Sequence, residues 1–194
     1  MGFNISGIAV DKRYENDLVT LQSDLNLTLE FLEDVIFETA CANWTDEGIC
    51  YVYFSKESTL LFLNMDMCID AYPVENKKSL TFALSEISMA FSLNYCEGKE
   101  VKRSIIEHDG RKMSQQGTPF DFEGECDDSS EIIWKKLDHV LDVPYHSIDL
   151  GASAKKYKVS VGRPAPVVVK ASVTEKEVAN PVGEANEKPW WKFW

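Results

Sequence analysis

The chain has 194 residues, with 32 Asp and Glu against 20 Lys and Arg and a formal charge of -12, which is enough length for one globular domain to bury a core without staples. That balance argues against a nucleic-acid backbone as partner, because neutralising phosphates needs clustered Lys and Arg. No apolar run is long enough to cross a bilayer and residues 1–10 lack the basic-then-apolar layout of a secretory signal, so the sequence predicts a cytoplasmic protein.

In chain order, residues 3–10 read as a first strand, although Met1-Gly2 with Ser6 also fits the loose M-G-x-x-x-[ST] pattern for myristoylation. Residues 29–42 are expected to form a helix with an ambiguous start, since Leu27, Leu29 and Phe31 alternate with Thr28 and Glu30 as a strand does. Residues 49–54 (ICYVYF) and 59–65 (TLLFLNM) are aromatic or aliphatic runs separated by Ser55, Lys56, Glu57 and Ser58, and predict a hairpin. Two further strands are expected over 79–84 and 87–95, interrupted by Glu97-Gly98. Residues 101–107 should then run back antiparallel, and Asp109-Gly110 supplies a turn that tolerates positive φ, giving a meander.

Residues 130–141 carry the clearest helical stripe: Ile133, Leu137, Val140 and Leu141 share one face, Asp128 with Glu131 resembles a capping box, and Pro144 marks the stop. Residues 156–161 (KYKVSV) alternate, with Tyr157, Val159 and Val161 on one face, and their lysines suit an edge strand. Several strands and few helices predict an α+β class: a mostly antiparallel sheet, a meander covered on one side, with two or three helices over residues 1–163. Residues 164–188, rich in proline and without aromatics, read as a disordered linker to an aromatic tail at 189–194.

Five cysteines, odd in number and with no C-x-x-C pair, read as reduced thiols, mostly in the core. Neither glycine-rich phosphate loop nor the G-x-S-x-G elbow occurs, so no cofactor is implied. His108 beside Asp109 is either a general base or, more plainly, an exposed turn residue. His139 and His146 lack metal-ligand spacing. The alternating acids Asp121, Glu123, Glu125, Asp127 and Asp128 suggest a hard cation, yet Cys126 and Ile132 stand where a calcium loop needs Gly and Glu; a solvated loop leading into a helix explains them better. Arg103 is a candidate functional cation, or else pairs with Glu86 or Glu107 across the sheet.

The least ordinary feature is the tail, where Trp190, Trp191, Lys192, Phe193 and Trp194 concentrate aromatic area behind a long linker, as a docking motif for a groove does. A protein groove suits it better than a membrane surface or the chain's own sheet. The expected function is a non-catalytic protein-binding or adaptor module, of the kind that neutralises a basic toxin as an immunity protein does, with a protein partner complementary to its acidic charge. The alternative is an enzyme of an unfamiliar family whose site gathers Arg103, His108 and the acids of 121–128, in a pocket with perturbed pKa values.

Overall fold

A computed structural model describes residues 2–161. Strands β1 (Asn4–Val10), β2 (Leu27–Ile36), β3 (Ile49–Phe54), β4 (Thr59–Leu63), β5 (Lys78–Ser85), β6 (Ala90–Glu97), β7 (Glu100–His108), β8 (Arg111–Gly117) and β9 (Ser153–Val161) form one sheet. Its order is β2-β9-β3-β4-β1-β5-β6-β7-β8, and every pairing is antiparallel. Helices α1 (Leu18–Leu25), α2 (Phe37–Ala40) and α3 (Ser129–Leu141) complete the α+β fold. The tail residues Trp190, Trp191, Lys192, Phe193 and Trp194, and the linker before them, lie outside the described residues.

The sheet is covered on both faces, against the expectation of one. On one side α3 lays Ile133, Leu137, Val140 and Leu141 over Leu80, Phe82, Leu93 and Ile105, with Phe37 and Tyr145 alongside. On the other, Tyr14 and the α1 residues Leu21 and Leu25 pack on Ile8, Val52, Leu61, Leu63 and Tyr157. Central strands β1, β4 and β5 are consequently buried almost throughout; β4 reads as a near-continuous apolar run, whereas β5 alternates Leu80, Phe82 and Leu84 with Ser79, Thr81 and Ser85, which are buried as well. Close packing at the centre explains Gly7 on β1, where a Cβ would stand 2.1 Å from the Leu61 carbonyl oxygen.

Three further expectations are corrected. Residues 29–42 are not one helix: β2 runs through Ile36 and only Phe37–Ala40 turns helical. The alternation of Leu27, Leu29 and Phe31 was the true signal, because β9 offers a matching strand whose lysines face the acids of β2. Glu30 lies opposite Lys158, Glu33 opposite Lys156 and Asp34 opposite Lys155; Lys155 Nζ donates to Asp34 at 2.8 Å and Lys156 Nζ to Glu33 at 2.9 Å. The same ladder overturns the second expectation: β9 is not an edge strand but sits between β2 and β3, so its lysines mark a cross-strand charge register. Third, the strand expected over 87–95 begins at Ala90, since Ser88 Oγ donates to Ser85 Oγ at 2.7 Å and closes a turn with Met89 at φ 49.

Other features stand as read. The β3–β4 hairpin forms, and Asp109 and Gly110 turn the β7–β8 hairpin at φ 50 and φ 69. Asp128 caps α3, accepting from the Ser130 and Glu131 N–H groups at 2.8 and 3.2 Å, while Glu131 reaches back to the Asp127 N–H at 3.4 Å. All five cysteines are unpaired, with Cys50, Cys68 and Cys96 buried. No helix among the described residues is long and apolar enough to cross a membrane.

Candidate functional site

Of the candidate residues, Arg103 and Glu123 are brought together, while His108 stands apart from them. Arg103 is 2% exposed and is locked to Glu123: its Nε donates to Glu123 Oε1 at 2.8 Å and its Nη2 to Oε2 at 2.7 Å, while Nη1 donates to the Gln116 carbonyl at 3.1 Å. The expected partners are elsewhere. Glu86 accepts from the Phe3 N–H and buried Glu107 from Ser129 Oγ. Sheet logic could not find Glu123, because Arg103 lies opposite Tyr95 and Gly117 in the sheet and its acid arrives from a 3-10 turn folded back over the strand. Burial pushes the Glu123 carboxyl up, but the Arg103 guanidinium and the Phe120 N–H outweigh it and hold it below the usual carboxylate range.

His108 stands five positions along β7 from Arg103, about 16 Å at the rise of a strand and on the opposite face, as the alternating burial of β7 shows. The acidic run is divided among tasks: Glu123 grips Arg103, Asp128 caps α3, and Asp121 and Glu125 line a groove. Among the described residues no three His, Cys, Asp or Glu side chains are placed to hold a metal ion. His146 packs among the rings of Phe3, Trp134 and Tyr145, and His139 Nε2 lies 3.2 Å from Lys78 Nζ.

The groove is an open cleft of about 770 Å³ between α3, the outer ends of β6 and β7, and the 118–125 loop. Phe120 stacks on Phe122 at 5.3 Å and meets Tyr95 edge-on at 5.4 Å. Into this aromatic wall α3 inserts Lys136, only 7% exposed, with Nζ 3.6 Å from the Tyr95 ring centre and 4.2 Å from that of Phe120. No hydrogen-bond acceptor or ion-pair partner of its ammonium is found among the described residues; the contacts are to ring faces. The nearby Glu97 carboxylate is taken by the Tyr95 hydroxyl, which donates to it at 2.8 Å. Lys102 and Lys135 supply further cations, and Glu97, Asp121 and Glu125 the acids, of the groove.

Burial lowers Lys136 to about 8, with Lys78 pushing the same way and Glu97 opposing. His139 is likewise lowered, first by burial and then by Lys136 and Lys78. Tyr95 is raised, by burial and by its bond to Glu97. The sequence signal for Lys136 was its position: three residues after Ile133 and four before Val140, it falls on the apolar stripe of α3.

A second surface lies at the far edge of the sheet. Strand β2 pairs only with β9 among the described residues, and on it Phe31 is 51%, Leu32 45% and Ile36 44% exposed. The register shifts between Phe31 and Glu33, bulging the strand at Leu32. At its start the Leu29 N–H is satisfied by Gln22 Oε1 of α1 at 2.7 Å. No protein-family model, curated protein or solved structure matches the chain.

Proposed function

We propose that the chain is a non-catalytic protein-binding module of the cytoplasm, which receives an extended, basic segment of a protein partner along the free edge of β2. The observation that carries this reading is the exposure of Phe31, Leu32 and Ile36 on a ten-residue edge strand. An edge of that length spans roughly 33 Å, of which the part beyond Leu29, whose N–H is held by Gln22, offers backbone donors and acceptors for strand addition. Charge selects the occupant. The outward acids Glu33 and Asp34 keep 58% and 67% of their side-chain surface exposed while paired to β9, and the whole chain carries -12. A second copy pairing antiparallel through the middle of β2 sets acid against acid, which disfavours self-association. The aromatic residues at 189–194 serve in this reading as a second contact to the same partner, and a cytoplasmic setting keeps the five thiols reduced.

The test is site-specific photo-crosslinking in cells that make the full chain. A benzophenone side chain at Leu32 should capture partner segments rich in Lys, Arg and β-branched residues, and the same probe at Met113 on β8 should not. Equal capture from both edges, or capture of acidic segments at Leu32, overturns the proposal.

A further inference from the structure

Lys136 is a buried lysine that faces an open groove and has no acceptor for its nitrogen among the described residues. A lysine buried for structural reasons alone is ordinarily paired or snorkels its amine into water; this one is held between two aromatic faces at the wall of a cleft. We propose that Lys136 is a reactive amine that condenses reversibly with the carbonyl group of an aromatic aldehyde or aromatic keto acid bound in the groove. The site is at the other side of the sheet from β2, so this inference stands independently of the protein-binding reading.

The ring of such a ligand lies against the Phe122 end of the aromatic wall, since Phe120 is flanked by Phe122 and Lys136, and Lys135 is positioned at the lining to receive an anionic substituent, whereas Lys102 is already paired with Glu100 at 2.6 Å. The nitrogen lone pair of the neutral amine adds to the carbonyl carbon; the C=O π pair moves to oxygen, which takes a proton as the nitrogen loses one. The carbinolamine then expels its hydroxyl as water and leaves a C=N bond. One water is released per imine formed, and nothing is oxidised or reduced. Desolvation, which keeps Lys136 near 8, makes the neutral amine roughly two hundred times more abundant at pH 7.5 than on an ordinary lysine.

The experiment uses the full chain with 4-formylbenzoate as probe and cyanoborohydride to trap the imine, followed by peptide mapping. The expected result is one dominant adduct, on Lys136, formed at least tenfold faster than on any other lysine, with a rate that rises to a midpoint near pH 8. Lys136→Arg, checked for folding by circular dichroism, should lose that adduct while the slow background on surface lysines remains. Labelling spread over the exposed lysines with Lys136 no faster than they are, or a midpoint above pH 10, overturns the proposal; because it is read on the unmutated chain, a variant that fails to fold does not obscure the answer.

Discussion

The two edges of the sheet solve the same problem differently. At one end β8 is polar along its length, with Arg111, Lys112, Ser114, Gln115 and Gln116 around a single exposed Met113, and the chain beyond it folds back so that Glu123 seizes Arg103 and Phe120 walls a groove. At the other end β2 pairs only with β9 among the described residues, its start held by Gln22 of α1, and it leaves Phe31, Leu32 and Ile36 exposed beside the lysine ladder of β9. The β8 end is therefore organised by buried polar contacts that are costly to disturb, and the β2 end by exposed contacts that are cheap to change. Unpaired apolar backbone edge is retained where it has a use, and buried charge where the chain has arranged compensation.

The comparison is broken most severely at the buried ion pair. Glu123→Ala leaves the Arg103 guanidinium in a site 2% exposed and should cost about 3 to 5 kcal/mol in urea denaturation. In the intact chain the contribution of Glu123, whose folded pKa is lowered, is present above the ordinary carboxylate range and is lost as pH falls through the lowered value. Lys136→Met reverses the sign. Because the lysine is lowered to about 8, the unfolded chain binds the extra proton between there and about 10.4. The intact chain gains stability over that window relative to the variant, so Lys136→Met should be the more stable protein at pH 7 by about 1 to 3 kcal/mol. That advantage should shrink as pH rises toward 10, as paired thermal melts of the two proteins would show.

Asp128→Ala removes the N-cap of the helix that carries Lys136 and should cost about 1 kcal/mol in the same denaturation assay. The smallest effect belongs to β2: Phe31→Thr with Ile36→Thr should shift stability by no more than about 0.5 kcal/mol, as exposed strand positions do, while abolishing capture by the probe at Leu32. A large loss of stability there would show that the exposed residues serve the fold rather than a partner.

Much of the architecture was legible because local pattern and tertiary environment agree. The β3–β4 hairpin, the Asp109-Gly110 turn and the Asp128 cap each follow from a few adjacent residues. The failures occur where the deciding neighbour is distant in sequence. Residues 29–42 contain both periods, and only the lysines of β9 decide in favour of a strand. Those lysines seen alone look like edge protection, and become a register device only once the acids of β2 are opposite them. The acids at 121 and 125 line the groove, but nothing in their own segment reveals it, and the Arg103–Glu123 lock depends on a loop folding over a strand. Lys136 is concealed in the α3 stripe, where the apolar members carry the helical periodicity and a cation among them adds nothing to it.

The interior position of β9 also imposes an order of events on the growing chain. Asp34 and its partner Lys155 are 121 residues apart, so at ordinary synthesis rates β2 waits about 6 to 24 s for the strand that attaches it to the sheet. Through that interval its apolar row is exposed without a neighbour, on an element that contributes late contacts of long loop-closure cost. The acids along β2 then act as gatekeepers for a nascent chain, keeping it soluble until β9 emerges and completes the sheet.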